Sequence, residues 1–172
     1  MCIRDRCRPT NNPSYKKWEN GAQTVSFNQC QFVGSNLNKS IQDIILWLRL
    51  GTKLRINDIS NFYQSIKVSV ADMSLQRFLF RPDGYGGKME FETYIICRLS
   101  YGFKHSGYLS CRAKQLTGRM FIEPDHPDVY NQLQYSLTDD IVMIGWDDEK
   151  MDRDCSILEL SLIHISEPTR PY

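Results

Sequence analysis

The sequence lacks the marks of several protein classes. No apolar run approaches the roughly 18 to 20 residues that cross a bilayer, and the start of the chain lacks the basic-then-apolar order of a signal peptide. An excess of charge of one sign is also missing, because 21 lysines and arginines stand against 20 acidic residues. No two of the six cysteines have the two-residue spacing of zinc knuckles or redox motifs. We therefore expect an intracellular protein with reduced thiols and no membrane segment, in which any contact with nucleic acid is local.

The two ends of the chain differ from the rest of it. Residues 1–6 can be encoded by ATG TGT ATA AGA GAC AG plus one base, which resembles a sequencing-library adapter, and residues 160–165 can be encoded by the reverse complement of that string. The resemblance to translated adapter continues to Arg170. We expect residues 1–6 and 160–172 to be adapter-like artefacts and leave them out of fold prediction. The alternative is a natural basic leader and a natural tail.

The interior is long enough to bury one core and too short for several subdomains. Residues 7–38 are polar and punctuated by proline and glycine, which predicts an irregular segment with one strand near residues 24–27. A helix over residues 40–50 follows, since Ile41, Ile44, Ile45 and Leu48 fall on one helical face.

The boundaries of this first helix are also predicted. Ser40 is expected to cap its start with support from Asp43, and Gly51 is expected to close it in a left-handed conformation. Residues 53–59 then alternate between polar and apolar, which predicts a strand with one face buried and Asp58 near its end.

Two hairpins and a second helix complete the prediction. Residues 76–80 and 88–97 are rich in aromatic and β-branched residues and are separated by turn residues, which predicts the first hairpin. Beyond Ser106, the residues Leu109, Ala113, Leu116 and Met120 lie along one helical face, and Pro124 and Pro127 are expected to close that region. Residues 134–137 and 141–144 predict a second hairpin with Asp139 and Asp140 at its tip.

Adjacent aspartates at a hairpin tip repel one another unless a positive group is close by. A divalent metal ion commonly supplies that charge, and Mg²⁺ prefers hard oxygen ligands such as the carboxylates of Asp58, Asp139 and Asp140. Two ions held in this way can catalyse phosphoryl transfer. The alternative is that a lone Asp-Asp pair is a solvated turn with no function.

Three motifs in order carry a family resemblance. The sequence DISNFYQSI at residues 58–66 resembles the first palm motif of reverse transcriptases. That resemblance implies that Asp58 binds metal and that Tyr63 blocks the ribose 2′ hydroxyl of an incoming nucleotide, although Tyr63 could also be an ordinary core aromatic. The sequence YGFKHSG at residues 101–107 resembles the second motif and implies that Gly102 and Ser106 contact the nucleotide. A plain loop with a helix cap is the alternative there.

The third motif is LTDD at residues 137–140, and Asp139 follows Asp58 by 139 − 58 = 81 positions, a separation that suits a palm. Short sequences at residues 36–40 and 77–81 are most similar to the Bel/Pao group of long-terminal-repeat retrotransposons. The chain departs from the family at Leu137, Gly107 and Phe62, where an aromatic, a proline and a small residue are usual. These departures are typical of a divergent or decayed copy.

The resemblance implies an α+β fold in which helices pack on one face of a small antiparallel sheet and the three aspartates face a nucleic-acid cleft on the other. We assign residues 39–154 to a reverse transcriptase palm fragment, after the irregular segment 7–38, and leave residues 155–159 as an unassigned junction. The intact parent is implied to be an RNA-directed DNA polymerase that uses two Mg²⁺ or Mn²⁺ ions.

Its implied partners are an RNA or DNA template-primer, deoxynucleoside triphosphates and the rest of a retrotransposon polyprotein, and its location is a cytoplasmic particle or the nucleus. The fragment alone is expected to be inactive. Two other readings stay open: a palm-like relic that binds nucleic acid or a partner without catalysis, and an unrelated metal-dependent nuclease.

Overall fold

A computed structural model describes residues 16, 18–20, 22–83 and 87–166. The described chain combines helices with small antiparallel sheets, so the predicted α+β class is confirmed. The strands are β1 (Trp18–Glu19), β2 (Ala22–Gln23), β3 (Lys53–Asp58), β4 (Arg77–Phe80), β5 (Glu92–Ile95), β6 (Ser136–Leu137) and β7 (Asp140–Gly145). The α-helices are α1 (Ile41–Leu48), α2 (Phe62–Ser65), α3 (Val70–Met73), α4 (Ser106–Phe121), α5 (Pro127–Leu133) and α6 (Asp148–Ser166), and Phe27–Cys30 forms a 3₁₀ turn.

The strands pair into three antiparallel sheets. β3, β7 and β6 form the central sheet with β7 in the middle, and β1 pairs with β2. β4 pairs with β5 along their whole length, which confirms the first predicted hairpin. β6 and β7 pair directly across the turn at residues 138 and 139, which confirms the second hairpin.

The start of α1 is confirmed and its end is not. The Asp43 amide donates to the Ser40 hydroxyl oxygen at 3.1 Å, and the Ser40 amide donates to the Asp43 carboxylate at 3.3 Å, which is a reciprocal capping box. The helix ends at Leu48, and the positive-φ glycines of the described chain do not include Gly51. Gly51 serves close packing instead, because an added Cβ would lie 2.8 Å from the Cβ of Ile144.

The buried face of β3 is the opposite of the one that its pattern suggested. Leu54 and Ile56 are 56% and 59% exposed, whereas Arg55 and Asn57 face helix α6. The Arg55 guanidinium lies 2.7 Å from the carboxylate of Asp152 on that helix. Alternation predicted the strand correctly, but it could not say which face the neighbouring helix covers.

Residues 24–27 do not form the predicted strand. The chain leaves β2 at Gln23 and turns through the 3₁₀ segment, because Asn28 is tied to a distant loop. Its side-chain amide donates to the Gly102 carbonyl at 2.8 Å, and its side-chain oxygen accepts from the Lys104 amide at 3.1 Å. The 3₁₀ segment therefore supports the loop before α4 through the hydrogen bonds of Asn28.

The main core lies between β7 and the helices α4, α5 and α6. Its buried members are Ile122, Val129, Leu133, Ile141, Met143, Met151, Cys155 and Leu158. Helices α5 and α6, which the periodicity argument did not include, supply most of them. Helix α4 ends at Phe121, before Pro124 and Pro127, as expected, and Pro127 also opens α5 as its first helical residue, a position where its missing N–H costs nothing.

Helix α6 continues through residues 160–166, inside the segment that resembles an adapter, and Leu162 packs against the core. Residues 1–6 and 167–172 lie outside the described residues. Within the described chain, no helix combines the length and apolar character needed to cross a bilayer.

Helix α4 forms as predicted but turns its apolar stripe outward. Leu109, Leu116 and Met120 are 41%, 42% and 67% exposed. The buried face of the helix is formed by Ser106, Ser110, Cys111, Lys114 and Gly118. Within the described chain, this polar face is the one that packs beneath the second hairpin.

Candidate metal and nucleotide site

The register of β3 and β7 brings the two acidic stretches together. Asp58 is the direct cross-strand partner of Asp140 in this antiparallel pair. The Ile59 amide donates to the Asp139 carbonyl at 3.1 Å, so the pairing extends into the turn. Directly opposed residues point to the same face of a sheet. The side chains of Asp58 and Asp140 therefore share one face, although the two residues are far apart in the sequence.

The β3 part of that face is exposed, whereas Val142 of β7 on the same face is buried. Asp58 follows Ile56 and Leu54 in the two-residue alternation of β3, and both of these side chains are more than half exposed. Helix α6 lies against the opposite face through Arg55 and Asn57. Within the described chain, the aspartates are thus at the end of a sheet face that helix α6 leaves open.

Backbone pairing brings Asp58, Asp139 and Asp140 together, but their three carboxylates do not form one cluster. No set of three or more His, Cys, Asp or Glu side chains in the described residues is close enough together to hold a metal ion. A metal at this end of the sheet would therefore find at most two of the three carboxylates in the present arrangement. Such a donor set still suits Mg²⁺, which is usually held by one or two carboxylates, waters and the phosphates of its substrate.

Tyr63 lies beside the aspartate turn. Its ring centroid is 4.8 Å from that of Tyr101, and the side chain is half-buried. Burial, and after it the negative charge of Asp139, raises the pKa of the Tyr63 hydroxyl above its ordinary value. The residue predicted to contact the sugar is therefore within electrostatic reach of a predicted metal ligand.

Gly102 and Ser106 divide into different roles. Gly102 has a φ of +86°, a conformation that favours glycine, and it is exposed in the loop before α4. Ser106 is 2% exposed, and its hydroxyl donates to the Ser100 carbonyl at 2.6 Å. The Ser106 hydroxyl is thus engaged within the protein, although it does not cap α4, whose N-cap residue is His105. Contact of Gly102 or Ser106 with a nucleotide stays a prediction.

A buried lysine beneath the turn was missed by the sequence analysis. Lys114 of α4 is 2% exposed, and its ammonium donates to the Thr138 carbonyl at 2.7 Å and to the Ser136 hydroxyl. Burial lowers the pKa of Lys114, although the nearby Cys111 and Asp139 act to raise it. The polar spacing Ser106, Ser110, Lys114 along α4 was the available signal, since residues four apart share a helical face.

Comparison of the chain with protein-family models and with curated proteins gives no match.

Proposed function

We propose that this chain is a fragment of the palm of a retrotransposon reverse transcriptase, an RNA-directed DNA polymerase most similar to the Bel/Pao group. The observation that carries the proposal is the cross-strand pairing of Asp58 with Asp140, next to the Asp139 turn and Tyr63. The first and third motifs were read from separate stretches of sequence. Their meeting at one end of one sheet is what a shared site requires.

In this proposal Asp58 and Asp139 are the principal ligands of Mg²⁺ or Mn²⁺, and Asp140 is a weaker or structural carboxylate. Held by these carboxylates, two such ions would supply the positive charge that activates an attacking 3′ hydroxyl and stabilises the leaving oxygen in phosphoryl transfer. Tyr63 limits the space beside the sugar, and the exposed Gly102 lets substrate approach the backbone. The intact parent would act on an RNA or DNA template-primer and deoxynucleoside triphosphates within a retrotransposon polyprotein, in a cytoplasmic particle or the nucleus.

A second candidate is a palm-like relic that binds nucleic acid or a partner without catalysis. It is favoured by the absence, among the described residues, of a group of three acidic side chains able to hold a metal. The buried ammonium of Lys114 also supplies positive charge near Asp139 without any metal. Both observations suit a site that keeps its shape after its chemistry is lost.

Metal binding separates these candidates. Titration of the full chain with Mn²⁺, followed by electron paramagnetic resonance of the free ion, should reveal binding that Asp58→Asn and Asp139→Asn each weaken by about tenfold or more. Asp125→Asn removes an exposed carboxylate on the loop before α5 and should leave the affinity unchanged. No binding to the unmodified chain would favour the relic.

The reaction class needs the intact parent protein. Primer extension that Asp58→Asn abolishes would support the polymerase, whereas metal-dependent cleavage of nucleic acid without extension would favour an unrelated nuclease. In an active parent, replacing Tyr63 with valine should raise incorporation of ribonucleotides relative to deoxyribonucleotides.

A further inference from the structure

We propose that Lys114 is a positioning residue, a built-in cation that holds the 138–140 turn against β3 before any metal ion binds. The bracing itself is independent of function. Its importance for catalysis depends on the proposed function, since the position of the turn affects a reaction only if Asp139 and Asp140 bind metal.

The contacts of Lys114 connect both acidic stretches. Its ammonium donates to the Thr138 carbonyl and the Ser136 hydroxyl on the second hairpin. The same nitrogen lies 5.6 Å from the ring centroid of Phe62, within the range of a cation–π contact. Phe62 is 1% exposed and follows Asp58 by four positions. One side chain of α4 therefore touches the segment after Asp58 and the turn before Asp140.

The turn needs such support. Thr138 has a φ of +56°, a left-handed conformation that is an outlier for a β-branched residue and costs free energy wherever it occurs. Its carbonyl is the group that accepts from Lys114 at 2.7 Å. A strained residue persists when its surroundings over-determine it, and a charged hydrogen bond from a buried donor is a strong constraint of this kind.

Charge supports the same conclusion. Asp139 and Asp140 are adjacent, and Asp140 is opposed by Asp58 across the strands. A positive group nearby offsets the repulsion among three carboxylates. A divalent metal ion was the expected source of that charge, and the fold also supplies one cation from within the protein, the ammonium of Lys114.

Hydrogen exchange of the full chain, measured by NMR in EDTA, tests the bracing. Lys114→Met keeps the length and apolar stem of the side chain but removes the charge and both hydrogen bonds. We expect exchange at the Ile59 amide, which donates to the Asp139 carbonyl, to accelerate by about tenfold or more. Exchange at the Leu99 amide, which donates to the Ile66 carbonyl, should stay near its rate in the unmodified chain.

Arg119→Met is the matched control, because it removes a positive charge from the exposed face of the same helix and should change neither amide. Unchanged exchange at Ile59 in Lys114→Met would overturn the proposal. An equal acceleration at Ile59 and Leu99 would also overturn it, since that pattern indicates a general role in stability.

If Lys114→Met fails to fold, Ser136→Ala decides the question. It keeps the lysine and removes one of its two acceptors, so a smaller acceleration at Ile59, about threefold, is expected. No acceleration in Ser136→Ala would refute the bracing.

Mn²⁺ titration separates this inference from the proposed function. If the unmodified chain binds Mn²⁺, Lys114→Met should weaken binding by about tenfold, because the turn is no longer held in place. Tighter binding in Lys114→Met would overturn the positioning role by showing that the ammonium competes with the metal. If the unmodified chain binds no Mn²⁺, the proposed function fails, and the exchange experiment alone decides the role of Lys114.

Discussion

The direct opposition of Asp58 and Asp140 should make the candidate site a source of instability in the absence of metal. Directly opposed residues in an antiparallel pair have Cβ atoms about 4.5–5.5 Å apart, and like charges at that separation destabilise the sheet. Both side chains are exposed, so a dielectric near that of water applies. Coulomb's law then gives a repulsion of about 1 kcal/mol at low ionic strength.

Asp58→Asn and Asp140→Asn remove this repulsion while keeping side-chain size. Each single substitution should raise the free energy of unfolding by about 0.5–1 kcal/mol, and the double variant should gain little more than either one. The effect should shrink in about 0.5 M salt, because screening weakens interactions between exposed charges.

Urea denaturation of the four proteins in EDTA measures this coupling as a double-mutant cycle. Asp125→Asn controls for the general effect of removing an acidic charge. Strictly additive gains, or gains that are as large at high salt as at low salt, would refute the reasoning. Such a result would mean that the two carboxylates do not meet at the end of the sheet.

Three further predictions concern the fold that carries the site. Ile141→Ala should lower the free energy of unfolding by about 3 kcal/mol, because Ile141 is 0% exposed, and Ile56→Ala, at an exposed position of β3, should lower it by only about 1 kcal/mol. Equal losses in urea denaturation would contradict the exposure of Ile56. Lys150→Met should lower the free energy of unfolding by about 1–2 kcal/mol, a figure reduced for the partial exposure of Lys150, because the 4% exposed Asp154 loses the ammonium that lies 3.0 Å from its carboxylate. An unchanged thermal midpoint would count against a stabilising role of this ion pair. Burial acts to raise the pKa of Asp128, but the hydrogen bond and charge of Lys150 outweigh it and hold that pKa below its ordinary value of 3.8. The stabilisation from ionised Asp128 is complete above the unfolded-state pKa and is lost as the pH falls through the folded-state pKa. Asp128→Asn should therefore flatten the dependence of the urea midpoint on pH between about pH 5 and pH 2. An unaltered slope would contradict this prediction.

Local sequence signals located most of the elements around the site. Ser40 and Asp43 predicted the start of α1, since a capping box depends on residues only three positions apart. The hairpin at Asp139 was predicted from two short apolar runs and the polar residues between them, and its pairing is present in the fold. The end of α1 was predicted less well, because Gly51 is required by a contact with Ile144 and not by its own backbone conformation.

Which face of each element is buried was also predicted poorly, because burial depends on contacts with distant parts of the chain. The alternation along β3 and the stripe along α4 identified faces correctly, but the apolar faces of both elements are exposed in the described chain. Arg55 of β3 and Lys114 of α4 face inward because their charged groups find partners on other elements. Such partners lie many positions away in the chain, so no local pattern contains them.

The sequence by itself determined the α+β class, the positions of β3, β4, β5 and α4, and the three aspartates as candidate ligands, because these depend on local propensity and short motifs. Only the tertiary structure decided that Asp58 and Asp140 are cross-strand partners, that helix α6 covers the opposite face, and that Lys114 lies beneath the turn. The register of two strands and the placement of a helix follow from packing between distant segments. The chemistry of the site depends on those distances, which the order of residues along the chain does not contain.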